Sequence, residues 1–168
     1  MGSSVFANSY NGGRDFHAGI SVLKYDTHES GDSIASSDDA RTYLDVKLGY
    51  LSQEMYFGAE CSLLNRTVNA NDQKRTSWGA VLGYHSDGFF ADLIYYPSSE
   101  FSYSSAVALK EGTGFGADLG YNTLLTFNFY VGVELSYKSL SYKQQDPALA
   151  VSNKFSEFYP ALGLGFYF

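Results

Sequence analysis

A framework of disulfides, a helical membrane span and a basic stripe are all missing from this chain. Its 168 residues contain one cysteine, Cys61, so no disulfide forms within the chain and no cysteine-based zinc cluster exists. No run approaches the roughly eighteen apolar residues that a spanning helix needs. The formal net charge is −7, so no excess of Lys and Arg is available to neutralise phosphates, which excludes nucleic acid as an expected partner. Helix formers do not dominate, which disfavours an all-α fold. No calcium loop of the EF-hand type is present, and Gly112-Thr113-Gly114-Phe115-Gly116 precedes no helix that could cradle a phosphate. Neither a metal nor a cofactor is therefore expected.

Aromatic residues and glycine are abundant instead. Fifteen Tyr, 13 Phe and 17 Gly stand beside a single Trp and 3 Pro. Tyr, Phe, Val and Thr favour strands, while Gly and Ser suit turns and cramped inward positions. The mean hydropathy of −0.18 would pass for that of a soluble chain, but strands with one apolar and one polar face average out in such a scale. Positions 1–13 read as a leader or disordered N-terminus. Met1-Gly2-Ser3-Ser4 opens it, and Val5-Phe6-Ala7 resembles the small-residue end of a cleaved signal peptide. Residues 14–168 read as one domain.

Alternation with a period of two, the mark of a strand with two unlike faces, occurs eight times. The predicted strands begin near Phe16, Arg41, Met55, Ser77, Phe89, Gly114, Phe129 and Phe158. In the second, Leu44, Val46, Leu48 and Tyr50 oppose Tyr43, Asp45, Lys47 and Gly49. In the seventh, Phe129, Val131, Val133, Leu135 and Tyr137 oppose Tyr130, Gly132, Glu134, Ser136 and Lys138. Connections alternate too. Those near Ser52–Glu54, Ser86–Gly88 and Asn122–Thr126 are short. Those near Asp26–Asp39, Asn65–Thr76, Pro97–Gly112 and Lys143–Lys154 are predicted to be long polar loops.

The apolar faces are sorted by height. At the turn end stand Tyr50, Phe57, Tyr84, Phe89, Tyr121 and Phe129, with Phe166 and Phe168. At the loop end stand Trp78, Tyr95, Phe115, Tyr137 and Phe158, and aliphatic side chains lie between. A soluble sandwich would bury these faces and has no reason to sort its aromatics. Two membrane interfaces do. The opposite faces carry Asp45, Lys47, Glu60, Asp92, Asp118 and Glu134 at mid-strand. The expected fold is all-β: an eight-stranded antiparallel up-and-down transmembrane β-barrel, with both termini periplasmic.

The C-terminus carries a recognisable motif: a final Phe168, with Phe166 two residues and Gly163 five residues before it. It resembles the signal read by the barrel-assembly machinery, although Ala161 stands where that pattern usually has a polar residue. With the strands before it, the chain resembles the small outer-membrane barrels that include the OmpA transmembrane domain and OmpX. The resemblance implies a Gram-negative outer-membrane location. It also implies outer-membrane lipid and lipopolysaccharide as surroundings, and the assembly machinery as a partner in biogenesis.

A fold of this kind does not dictate a task. With Gln53 setting a simple hairpin register, Lys47 is expected near Glu60, with Asp45 just above and Arg66 and Lys138 towards the loop end. That leaves five carboxylates and one lysine at mid-height. Such a lumen is either a side-chain plug or a narrow proton or cation path, and the plug is the ordinary solution in small barrels. Lipid-A-modifying barrels need a histidine at the outer leaflet. His17 and His85 fall at the turn end, and only His28 lies on the required side, so no catalytic residue is assigned. The loops, with the apolar patches Ala106-Val107-Ala108-Leu109 and Ala148-Leu149-Ala150-Val151, are the expected surface for an extracellular partner; a periplasmic protein is the other candidate. The leading expectation is a structural or surface-interaction barrel, with a narrow conduit second and an enzyme third.

Overall fold

The computed structural model describes residues 14–31, 34–104, 107–126, 128–146 and 149–168, with side chains for 16–26, 39–103, 108–126, 128–144 and 152–168. The leader read into positions 1–13 lies outside them, as do Ala106 and Ala148. Eight strands follow one another: β1 (Arg14–Gly31), β2 (Ile34–Ser52), β3 (Met55–Val68), β4 (Asn71–Ser86), β5 (Phe89–Ser104), β6 (Val107–Leu124), β7 (Phe129–Asp146) and β8 (Leu149–Tyr167). Each pairs antiparallel with the next, and β8 pairs with β1, so the meander closes in a ring. No helix is present among the described residues.

Turn chemistry fixes the narrow connections. Asp87 (φ 51°) and Gly88 (φ 87°) both occupy the left-handed region that a two-residue type I′ hairpin requires, which Asp-Gly supplies best. Between β6 and β7, the Thr126 hydroxyl accepts the Phe129 N–H at 3.2 Å, and the Leu125 N–H donates to the Phe129 carbonyl at 2.9 Å.

The faces alternate as the sequence pattern predicts, and the apolar face is outside. Leu48, Leu93 and Val133 are 59%, 66% and 57% exposed, whereas Asp92 and Glu134 are 2% and 5% exposed. The strand ends depart from expectation. Strands run to 14–19 residues, beyond the roughly 9–11 that a bilayer requires, and they take up most of the four predicted long loops. There the polarity of the faces reverses. Leu64, Phe101, Leu109, Leu140 and Tyr142 turn inward and are buried. Lys74, Thr76, Glu100, Lys143 and Ser156 turn outward and are exposed. Polar residues dominate these stretches, so they read as loops, yet their period is still two.

One seam is weaker than the others. β1 meets β8 over six pairs, His17↔Tyr167 to Val22↔Leu162, whereas every other neighbouring pair of strands shares twelve or more. Backbone direction explains where it stops. The Phe168 N–H donates to the Phe16 carbonyl, while the Tyr167 N–H donates to Asn128 beside β7. Even-numbered residues of β8 therefore face β1, and the next rung above Leu162 falls on Pro160, which has no N–H to give to Lys24. Replacing Pro160 with Ala supplies that donor. The new amide at position 160 should become protected in hydrogen exchange and the unfolding temperature should rise. An amide that exchanges as fast as an exposed one would contradict this account of the seam.

Candidate functional site

The ring interior is filled in layers. At the turn end His17 lies between Tyr56 and Tyr130, its Nε2 2.5 Å from the Tyr130 hydroxyl. Tyr130 fits because Gly19 and Gly165 face it; a Cβ on either would collide with its ring or hydroxyl. Above this layer Lys47 Nζ lies 2.8 Å from Asp92, 2.6 Å from Asp118 and 3.8 Å from Glu134. His85 Nε2 holds the other oxygen of Asp92 at 2.8 Å.

The next layer centres on Lys138, whose ammonium donates to Asp45 (2.6 Å), Glu60 (2.9 Å) and Ser62 (2.7 Å). Tyr96 donates to Glu60 at 2.6 Å and Tyr159 to Asp45 at 2.8 Å, so two phenols complete the shell of this cation. Higher still, Arg75 pairs across the lumen with Glu157 at 2.6 Å, and the hydroxyls of Ser77, Ser99 and Tyr142 form a chain. At the loop end Arg41 and Arg66 clamp the carboxylate of Asp39 between them.

The expected lumen residues all line the interior, but two placements are corrected. Lys138 is not near the loop end; it sits at mid-height and gives the carboxylates a second lysine. Lys47 is opposite Glu60 in backbone register, yet its ammonium reaches across the lumen to Asp92 and Asp118 and leaves Glu60 to Lys138. A long side chain chooses among all strands of a narrow ring, and a hairpin register sees only one neighbour. Arg66 joins Asp39 rather than the central network. Arg75, Glu157, Tyr96 and the Ser77–Ser99–Tyr142 chain escaped the sequence reading because they lie in stretches taken for loops or at strand margins.

Charge does not balance. Five buried carboxylates share two lysines, and Glu60 Oε2, Asp118 Oδ1 and Glu134 Oε1 have no hydrogen-bond partner. A cavity of about 20 Å³, room for one water, lies between His17, His85, Lys47, Asp92 and Glu134. Among the described residues no cluster could hold a metal ion.

The outer aromatics fall at two heights. At the turn end they meet in pairs, with ring centres 4.7 Å apart for Phe89 and Tyr121 and 4.9 Å apart for Phe129 and Phe166; Tyr50, Phe57 and Tyr84 share that level. At the loop end Trp78, Tyr95, Phe115, Tyr137 and Phe158 form an arc over β4–β8. It is not a full circle, because β1–β3 present Val22, Lys24, Leu44 and Leu63 at that level. In the C-terminal motif, Phe166 and Phe168 point outward and Gly163 faces Ser21 inside. The His28 side chain lies outside the described ones.

Two outcomes test these contacts. Lys138→Met strands Asp45 and Glu60 beside each other, and should lower stability by about 3–5 kcal/mol in denaturant unfolding, with partial recovery when Asp45→Asn and Glu60→Gln are added. An unchanged midpoint would show that the lysine is not needed to balance them. At the loop end, hydrogen bonds from Arg66 and then Arg41 hold the Asp39 carboxyl well below the usual carboxylate range. A carboxyl lowered in the folded state stabilises the fold above its unfolded pKa, and that contribution goes as pH falls through the folded value. The Asp39 carboxyl resonance should therefore stay unshifted through the ordinary Asp titration range, and Arg66→Gln should move its midpoint upward.

No protein-family model matches this chain, and no curated protein matches it in sequence.

Proposed function

We propose that this chain is an outer-membrane β-barrel of structural or surface-interaction type, its lumen plugged by side chains and its far strand ends projecting beyond the lipid. The reversal of polarity along the strands carries this reading. Over their turn-end portions the strands put Leu and Phe outside and Asp, Glu and Lys inside; over their last turns toward the loop end they do the opposite. Water on all sides would favour one arrangement throughout, whereas lipid around one part and water around the other favours this switch. A closed ring also satisfies the backbone where no water can, as lipid demands. In this reading the aromatics lie at headgroup depth, and outer-membrane lipid and lipopolysaccharide surround the wall. The assembly machinery would read Gly163, Phe166 and Phe168. Because the strands take up most of the predicted loops, a protein partner outside the cell would meet a rim of strand ends, with the Asp39 clamp just inside it.

A narrow cation conduit is the second reading, favoured by the unpartnered oxygens of Asp118 and Glu134 beside the small cavity. Against it, Tyr43, Tyr56, Tyr96 and Tyr142 are almost completely buried across the bore. An enzyme acting on lipid draws nothing from His17 and His85, which are engaged inside the turn end. The plugged reading predicts a silent planar bilayer and unchanged light scattering in a sugar-swelling assay with vesicles that contain the refolded protein. Steady cation-selective current that Glu134→Gln abolishes would replace it with the conduit.

A further inference from the structure

The imbalance of charge in the bore has a weakest point. Asp45 and Glu60 lie 2.6 and 2.9 Å from the ammonium of Lys138, and Asp92 and Asp118 lie 2.8 and 2.6 Å from that of Lys47. Glu134 is the exception among the buried carboxylates. Its nearest ammonium, Lys47, stands 3.8 Å away and is already shared by two aspartates. The Glu134 side chain is 4% exposed, its Oε1 has no donor, and it lines the one-water cavity.

The groups packed around Glu134 leave nothing to neutralise it. His17 of β1 lies between the Tyr56 and Tyr130 hydroxyls, and His85 of β4 is spent on Asp92 of β5. Asp118 of β6 adds a second negative charge at the same lysine. Lys138, on β7 itself, is enclosed by Asp45 of β2 and Glu60 of β3. From β8, Tyr159 donates to Asp45, Ala161 is opposite Glu134 in register, and Gly163 borders the cavity. A bare carboxylate here would face Asp118 in a closed interior, which is a costly arrangement. A metal ion is a poor remedy, because no cluster among the described residues could hold one and the Lys47 ammonium stands beside the site.

A proton needs no such cluster, and there is room for the hydrogen bond it would make. A Cβ built on Gly163 would meet nothing nearer than the Ser21 hydroxyl oxygen, at 3.5 Å, so this glycine keeps the cavity open. Ser21, Asn122 and Glu134 line it together and give a water there the polar neighbours that a buried water requires.

We propose that this cavity is a proton-binding site, in which Glu134 is a neutral acid at neutral pH and donates from Oε1 to one water held by Ser21 and Asn122. Lys47 then serves Asp92 and Asp118 alone. Loss of the proton to solvent sets a third negative charge around that lysine and loosens the turn-end plug. The site needs the closed interior and not the lipid outside it, so its failure leaves the membrane reading untouched.

Infrared absorption tests it on the full chain, folded in detergent micelles at pH 7, with circular dichroism as the check on folding. Wild type should show the carbonyl band of one neutral carboxylic acid per chain. The band should shift in D2O, shift again when the glutamate side-chain carboxyls carry carbon-13, and vanish in Glu134→Gln. The isotope distinguishes Glu134 from Asp118 without any substitution, so a variant that fails to fold does not stall the test. A wild type with no such band, a band unmoved by labelled glutamate, or one that persists in folded Glu134→Gln overturns the proposal. Denaturant unfolding gives a second reading. In the unfolded chain a glutamate ionises near about pH 4.3. Between that pH and the one at which the folded acid ionises, wild type releases a proton on unfolding, so its stability falls as pH rises. The ratio of the wild-type unfolding constant to that of Glu134→Gln should therefore rise about tenfold for each pH unit in this window. A ratio independent of pH also overturns the site.

Discussion

Closing a sheet on itself removes its edges and divides all its side chains into two populations, and the rest of this molecule follows from that division. Each strand pairs its backbone with both neighbours in the ring, although β1 and β8 do so over six pairs only. Inward side chains have the opposite problem. They are crowded around one axis, cut off from solvent, and must satisfy one another. Lys47 and Lys138 each gather carboxylates from several strands, and Tyr96 and Tyr159 supply donors that the two cations cannot. Glycine opposite Tyr130 serves the same need, because a ring this narrow holds a phenol only where its neighbours have no side chain.

The layers have different consequences. The Lys138 shell is nearly complete, while the Lys47 shell leaves oxygens of Asp118 and Glu134 without donors beside a one-water space. Breaking either shell exposes a buried carboxylate to another, which costs more than an intact pair contributes. The apolar cluster around Phe101, Leu109 and Tyr142 resembles the core of a soluble barrel.

The seam is where closure is least complete, because β1 and β8 share only six pairs. Pro160 marks where the pairing stops. Pro160 cannot give the hydrogen bond that the next rung needs, so β1 and β8 part although both remain extended. An edge within a wall of this kind is a liability unless something covers it.

Much of the fold was legible in the sequence, because a period of two assigns every residue in a strand to one face or the other. The eight strands and their order came from that alternation, and the sorting of the apolar-face aromatics by height put Asp45, Glu60, Asp92, Asp118 and Glu134 inside. The strand ends were not legible. Their outward residues are Lys, Glu and Ser, and a polar stretch looks like a loop whether or not its backbone is paired. Pro160 was visible, but its effect depends on which neighbour its nitrogen faces, and that is set by the register of closure. The pairing of Lys138 with Asp45 and Glu60, and of Arg75 with Glu157, crosses strands far apart in the chain. A local pattern determines which way a side chain points. Only the closed ring decides which side chains it meets, because the partners become neighbours when the first and last strands join.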